Sequence, residues 1–341
     1  MNQRPANFPQ MRPGSSGGQR PAGAGIPPQQ YPTQAVPRTA ATGHQPAVPV
    51  IQPENSAPHY KKVIESIDQL PALPAIVAKL IQIVNSPESS ADDASRLIEK
   101  DPGLTSKMIR LANSAFYGIP RSISSVSSAV VILGFNTIRS LVLSASVMKI
   151  FAGSHKTAID KERFWMHSIT TAMAAKTIVR HFINVRMMDP ESVFCSGILH
   201  DIGKLIFNEY MTDEYLEACK YAEDNKISLY DAETKVLGIN HAAIGKIVSD
   251  KWSLPIDLEY SLTYHHDPSA ADQLQELVAT VHYADILAHE MGASLRDNEP
   301  LTLINDNYRS ILRVTDADHE KIKQALVENI EKSSEFFSII K

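Results

Sequence analysis

The chain has 341 residues, of which 43% are hydrophobic, 21% charged and 7% aromatic, as expected of a globular protein with about two domains. Its formal net charge is −5, and residues 59–341 alone carry −8 because they contain 29 basic and 37 acidic residues. Nucleic-acid binding needs clustered Lys and Arg to neutralise phosphates, so this excess of acid excludes DNA or RNA as the main ligand.

Residues 1–58 differ from the rest of the chain in composition. They contain 12 of the 21 prolines, six of the 15 glycines, four arginines, no lysine and one acidic residue, Glu54. Such a segment buries too little apolar surface to offset its ordering entropy, which predicts a disordered tail that can be deleted without unfolding the rest. Pro27 and Pro28 leave open a role as ligand for a polyproline-binding groove, although a solvated tether is the favoured interpretation.

Neither a signal peptide nor a membrane span is predicted. The first residues lack the apolar core of a signal peptide, and the longest apolar runs are far shorter than the roughly 18 residues that a membrane helix needs. Two cysteines, Cys195 and Cys219, lie in apolar helical sequence and are interpreted as buried free thiols of a reducing compartment. These features predict a cytoplasmic protein.

Residues 59–155 are predicted to form a helical subdomain. Apolar residues recur at helical spacing after Pro74, and Asp101 followed by a proline is a helix start whose predicted end is Gly118. Further helices are predicted over 124–133 and 136–151.

This subdomain carries little chemistry. It contains no Gly-rich phosphate loop, no pair of cysteines and no cluster of carboxylates around a histidine. The polar pair Asn113 and Ser114 is either a helix end capped by its own side chains, which is favoured, or a ligand contact. We therefore expect a scaffold or a surface for a partner protein.

Residues 156–292 are predicted to form a second helical subdomain, followed by a C-terminal extension over 293–341. No window alternates cleanly enough to be a strand, so the fold class is predicted to be all-α. The predicted helices cover residues 164–182, 191–207, 216–223, 240–252, 256–265, 275–291 and, in the extension, 316–336.

Histidine and aspartate residues are concentrated in the second subdomain. His200 and Asp201 are adjacent in an otherwise apolar helix, where an unsatisfied polar pair costs several kcal/mol. Adjacent side chains diverge by about 100° on a helix, so both reach one site only at a crowded helix junction. The other candidates are His167, His241, His265, His266 and Asp285.

The spacing of these residues leaves two interpretations equally open. A lone histidine on an apolar face is more often a satisfied core residue than a ligand, but so many candidates on five helices raise the odds of a site. Imidazole and carboxylate together suit Mn, Fe, Ni or Zn. A divalent-metal site and a hydrogen-bonded structural cluster therefore both stay possible at this point.

The sequence resembles the HDOD domain, the HD-related output domain of bacterial signalling proteins, and more widely the HD superfamily. The resemblance covers about two thirds of the chain in the family's order. The matching segments are LPALPAIVAKL at 70–80, DPGLTSKMIRLANSAFYG at 101–118, SISSVSSAVVILGF at 122–135, FWMHS at 164–168, GILHDIGKL at 197–205, NHAAIGKIVSDKWSLP at 240–255, YHHDP at 264–268 and ADILAHEMG at 284–292.

The resemblance implies an N-terminal helical bundle packed on an HD-type helical bundle. It also implies a regulatory signal-transduction module that acts mainly by binding a signalling protein or a small ligand and is not a competent enzyme. The alternative is a metal-dependent phosphohydrolase that acts on a nucleotide or a cyclic dinucleotide.

The resemblance further assigns candidate metal ligands for Mn, Fe, Ni or Zn. Four of them match the ligands of the HD superfamily, and two match further metal-site histidines of relatives that degrade cyclic di-GMP. Lys204 matches a lysine that contacts phosphate. In Asp267 and Pro268 the chain departs from the Gly-Tyr-Pro signature of those relatives, which argues against cyclic di-GMP itself. The ligands are His167, His200, Asp201 and Asp285, followed by His241 and His265.

Overall fold

The structure, a computed structural model, describes residues 72–86, 89–151, 157–181, 188–296 and 307–340, with residue 300 and scattered positions between 59 and 70. Every regular element within these residues is a helix, which confirms the all-α prediction. The predicted tail at 1–58 lies outside the described residues, the first of which is His59.

The described helices fall into two groups and a C-terminal pair. The N-terminal group comprises α1 (Ala75–Asn85), α2 (Ala91–Ile98), α3 (Pro102–Ala112), α4 (Val126–Leu133) and α5 (Phe135–Ile150). The C-terminal group comprises α6 (Lys161–His181), α7 (Pro190–Leu199), α8 (Ile202–Tyr210), α9 (Thr212–Asn225), α10 (Leu229–Leu237), α11 (His241–Lys251), α12 (Ile256–Tyr264), a 3-10 helix (Pro268–Ala270) and α13 (Gln275–Glu290). The pair is α14 (Asn307–Leu312) and α15 (Asp316–Ile340).

Side-chain caps set the starts of the N-terminal helices. Asp101 accepts the backbone N–H of Leu104 at 3.0 Å and so begins α3 at the predicted position. Ser125 caps α4 by accepting the N–H of Ser128 at 3.1 Å. Each cap satisfies a donor that the first helical turn otherwise leaves without a partner.

Helix α3 ends at Ala112 and not at the predicted Gly118. The amide of Asn113 donates to the carbonyls of Ile109 at 2.9 Å and Ile123 at 2.8 Å, and its oxygen accepts the N–H of Ile123 at 2.7 Å. A side chain that bonds two separate backbone segments competes with continuation of the helix. Asn113 therefore closes the helix, as the capping interpretation expects.

Helix α6 is the centre of the C-terminal group, where it packs against α7, α13 and α15. Close approach to α7 requires Gly197, because a Cβ at this position would lie 2.6 Å from the Cα of Ala172. Helix α5 lies against α7, and α15 packs on both α6 and α3, so the two groups share one core. The domain boundaries at 155 and 292 remain a prediction.

No single helix in the described part of the chain is both long enough and apolar enough to cross a membrane. Helices α4 and α5 would together meet those criteria, but they are bent by 119° at the break between them.

Candidate metal centre

The predicted helix over 191–207 is broken at its polar pair. Helix α7 ends at Leu199 and α8 begins at Ile202, with His200 and Asp201 at the junction. The prediction of one continuous helix over 191–207 was wrong. In a continuous helix the side chains of His200 and Asp201 would point in different directions, whereas the break lets both reach the same site. The break is the helix junction at which adjacent side chains can reach one site.

The structure brings all six sequence-predicted ligands together at this junction. They form two sets, each with potential ligand atoms that lie within 4.8 Å of one another. Set A is defined as His167, His200 and Asp285. Set B is defined as Asp201, His241, His265 and His266.

Asp201 faces both sets. Its Oδ2 lies 3.5 Å from Nε2 of His167 and 3.4 Å from Nε2 of His200, both in set A. Its Oδ1 lies 3.2 Å from Nε2 of His241 and 3.6 Å from Nε2 of His265, both in set B. One fully buried carboxylate therefore presents one oxygen to each set.

Within each set the imidazole Nε2 atoms face one another. In set A, Nε2 of His167 lies 3.3 Å from Nε2 of His200 and 3.1 Å from Oδ1 of Asp285. In set B, Nε2 of His241 lies 3.3 Å from that of His265 and 2.8 Å from that of His266. These distances put several nitrogen and oxygen donors around two points.

The opposite ring nitrogens show which tautomer the imidazoles adopt. Nδ1 of His167 donates to the carbonyl of Ala293 at 2.8 Å, and Nδ1 of His200 donates to that of Gly197 at 2.8 Å. Nδ1 of His265 donates to the carbonyl of Ser261 at 3.0 Å. A carbonyl only accepts, so Nδ1 carries a proton in each ring, and Nε2 is the nitrogen that each ring turns toward the site.

Lone pairs and carboxylates that face one another are stabilised by a cation. Oδ1 of Asp201 and Oδ1 of Asp285 are buried and receive no well-aligned hydrogen bond. Imidazoles that present Nε2 while Nδ1 bonds to a carbonyl are the arrangement found around bound metals. The donor set therefore fits divalent metal ions that accept mixed nitrogen and oxygen ligands.

The charges of the site point the same way. Burial raises the pKa of Asp201, but His200, Lys204 and His241 outweigh it and hold that pKa well below its usual range. Burial lowers the pKa of His167, but Asp201 and Asp285 outweigh it and raise the pKa to about 10. The carboxylates thus stay ionised inside the protein and attract positive charge.

Lys204 and Gly203 connect α8 to this centre. Nζ of Lys204 is buried and donates to Oδ2 of Asp201 at 2.7 Å, so the predicted phosphate contact lies at the site and pairs with a ligand. A Cβ at Gly203 would lie 2.1 Å from the carbonyl oxygen of His241. Glycine is therefore required for α8 to approach the start of α11.

Three residues at the centre were not among the six assigned ligands, although His266 was a candidate from its position in the sequence. His266 belongs to set B, and His289 has its Nε2 3.5 Å from Oδ1 of Asp285. Glu233 lies on α10, a helix that was not predicted, and its carboxylate contacts Nδ1 of His241 at 2.6 Å. A sequence signal for that helix existed in Ser228, which caps it by accepting the N–H of Asp231.

Solved structures share this fold. A Geobacter sulfurreducens HDOD domain protein of unknown function aligns with a TM-score of 0.69 and 25% identity, covering 82% of this chain and 98% of its own. A proposed phosphohydrolase of Shewanella amazonensis SB2B aligns with a TM-score of 0.64 and 24% identity over 83% of this chain and 99% of its own. A proposed signal transduction protein of Marinobacter aquaeolei VT8 gives 0.66 and 19% over 87% and 68%.

The sequence comparisons give the family. An uncharacterized protein of Treponema pallidum (strain Nichols) is 22% identical over 225 residues, which are 66% of this chain and 43% of that protein. The match thus spans less than half of that relative. The sequence profile of the HDOD domain matches residues 70–268, more than half of the chain. This protein therefore belongs to the HDOD domain family.

Proposed function

We propose that this protein is a signalling protein whose C-terminal group holds two divalent cations and uses them to bind and hydrolyse a phosphate ester of the nucleotide or cyclic dinucleotide class. The observation that carries the proposal is the position of Asp201, which presents one carboxylate oxygen to set A and the other to set B. A shared carboxylate between two groups of imidazoles is a ligand arrangement for a pair of cations.

The residues would divide between the two cations as the sets do. His167, His200 and Asp285 would hold one cation, and three imidazoles of set B the other, with Asp201 shared. Mn, Fe, Ni and Zn all accept such mixed ligands. Bound there, two cations would supply the positive charge that neutralises a phosphoryl group and makes water a better nucleophile.

The chain's own side chains would bind and orient the ester. Lys204 would exchange its bond to Asp201 for one to a phosphate oxygen, which keeps its buried ammonium paired. Tyr230, half-buried, has its ring centroid 4.6 Å from that of His266 and presents an aromatic face for a base next to set B. Asp267 and Pro268 after His266 still argue against cyclic di-GMP as the particular ester.

A second candidate function is partner binding without catalysis. Val131 and Ile132 on α4 are 76% and 50% exposed, in the half of the chain without metal ligands. Adjacent exposed aliphatic residues favour contact with another protein. Under this candidate the paired cations would hold helix junctions together, and the protein would signal by binding a partner.

The metal content of the full chain, purified without a nickel column or a chelator, tests the proposal. We expect mass spectrometry to find two equivalents of a divalent metal in the wild-type chain and no more than traces of metal in Asp201→Asn. Asp250→Asn, which changes an exposed carboxylate on α11, is the matched control and should keep both. A wild-type chain without metal overturns the proposal.

Hydrolysis separates the two candidate functions. The metal-loaded chain should cleave bis(p-nitrophenyl) phosphate, and Asp201→Asn should lose that activity while Asp250→Asn retains it. Two bound cations without cleavage of this diester or of a panel of nucleotide phosphodiesters would favour the partner-binding candidate.

A further inference from the structure

Glu233 is a fully buried carboxylate that accepts three hydrogen bonds. Its Oε1 accepts the hydroxyl of Tyr215 at 3.0 Å. Its Oε2 accepts both the backbone N–H of His241 at 2.8 Å and Nδ1–H of the same residue at 2.6 Å. The relative exposure of Glu233 is 0%, so its charge acts in a medium that screens it weakly.

This contact makes His241 different from the other ligand histidines. Nδ1 of His167, His200 and His265 bonds to a neutral backbone carbonyl in each case. A carboxylate in the same position fixes the Nδ1–H tautomer more strongly and increases the electron density at Nε2. Among these four imidazoles, His241 is therefore the strongest donor to a cation.

The charge balance of the two sets explains why set B needs this support. Set A contains Asp285 as a carboxylate of its own, besides the oxygen of Asp201 that faces it. Set B contains three imidazoles and, as its carboxylate ligand, only the other oxygen of Asp201, whose charge is also shared with Lys204. The nearest further negative charge in contact with a set B ligand is that of Glu233.

We propose that Glu233 is a positioning residue that fixes His241 and supplies the negative charge by which set B retains its cation. The inference rests on the proposed function and goes beyond it, because it makes the two cation sites separable. Loss of the Glu233 charge should release the set B cation while set A, which has Asp285, keeps its own.

The test uses Glu233→Gln and Tyr215→Phe in the full chain. Glu233→Gln keeps the size and a hydrogen-bond acceptor for His241 but removes the charge. Tyr215→Phe removes a neighbouring hydrogen bond and leaves both bonds to His241 intact. Readouts are metal equivalents by mass spectrometry, Co²⁺ titration followed by its absorption spectrum, and the thermal midpoint in excess chelator.

We expect two equivalents for wild type and Tyr215→Phe and one for Glu233→Gln, with the second Co²⁺ bound about 10- to 100-fold more weakly. A purely structural role of Glu233 would lower the midpoint in chelator without this selective loss. Glu233→Gln with two equivalents at wild-type affinity overturns the inference alone. A wild-type chain that binds no cation overturns the proposed function and the inference with it.

A second variant keeps the test decisive if Glu233→Gln does not fold. Glu233→Asp retains the charge but is one methylene shorter, so it withdraws the carboxylate from Nδ1 of His241. We expect it to bind the second Co²⁺ less tightly than wild type, because the shorter side chain no longer holds Nδ1 of His241 in place. An affinity equal to that of wild type would count against the inference.

Discussion

The guanidinium of Arg139 on α5 lies 3.1 Å from the carboxylate of Asp257 in the first turn of α12, and the same nitrogen donates to Ser192 on α7 at 3.1 Å. Both charged side chains are largely buried. Helices α7 and α12 lead directly to His200 and His265 at their C-terminal ends. The N-terminal group therefore holds the starts of two helices whose ends carry candidate ligands.

Breaking this ion pair should destabilise the whole protein. Arg139→Met leaves the buried Asp257 without its partner, which costs about 3 kcal/mol of unfolding free energy. The measurement is urea unfolding in excess chelator, so that cation binding does not contribute. Arg96→Met is the control, because its pair with Asp92 is exposed to solvent and should contribute little to stability. Equal losses of unfolding free energy in Arg139→Met and Arg96→Met would contradict this prediction.

Divalent cations should stabilise the folded chain. A ligand that binds only the folded state adds about 2.7 kcal/mol at a hundred times its Kd. Unfolding in urea with and without added Mn²⁺ should show such a gain for wild type and for Asp250→Asn. Asp201→Asn, which lacks the shared carboxylate, should show little of it. A gain of the same size in all three chains would place the cation elsewhere.

Gly203→Ala should disturb the centre without changing a ligand. The added Cβ would lie 2.1 Å from the carbonyl oxygen of His241, so α8 and α11 must separate. We expect a loss of at least about 2 kcal/mol in stability and weaker metal binding, since overpacking typically costs 1–3 kcal/mol. Gly103→Ala is the matched control, because its Cβ meets only the side chain of Asp101, at 3.3 Å. Metal content and urea unfolding of both variants check this prediction.

Cys195 should be unreactive in the folded protein. It is fully buried, and burial raises the pKa of its thiol to about 12. Because the reactive species is the thiolate, a thiol reagent applied at pH 8 should modify Cys195 only when the protein is unfolded. The same shift removes stability as the pH rises above about 9, where the unfolded chain loses a proton that the folded chain keeps. Rapid labelling of Cys195 in native buffer, read by peptide mass spectrometry, would contradict the burial.

The helices of the chain were predictable where caps and apolar spacing agreed. Asp101 with Pro102, Ser125 and Asn240 all cap helices at or within one or two residues of the predicted starts. Three described α-helices, α2, α10 and α14, were not predicted, although α2 and α10 carry the same local signal. Ser90 with Asp93 and Ser228 with Asp231 show the Ser-x-x-Asp spacing of a capped start. Apolar spacing is weak in such short helices, so the caps were the better evidence.

The candidate site was predictable by residue and only partly by geometry. Residue type and place in helical sequence marked candidates, because a buried polar residue must have a partner, but they left a structural cluster equally open. The resemblance to the HDOD domain then selected the six ligands. The break at His200 and Asp201 had no turn residue to indicate it, since tertiary contacts of these side chains stabilise it. Glu233 gave no signal, because only the approach of α10 to α11 brings it to His241.

The shared position of Asp201 has a consequence for how the centre would fill. One carboxylate carries a single negative charge, so the first cation to bind reduces the attraction that the second one meets. If the proposed function holds, the two cations bind one after the other with negative cooperativity. A chain with one bound cation is then the main species over a range of metal concentrations. The two cations would then bind at two different concentrations of free metal, and the charge of Asp201 would set the difference between them.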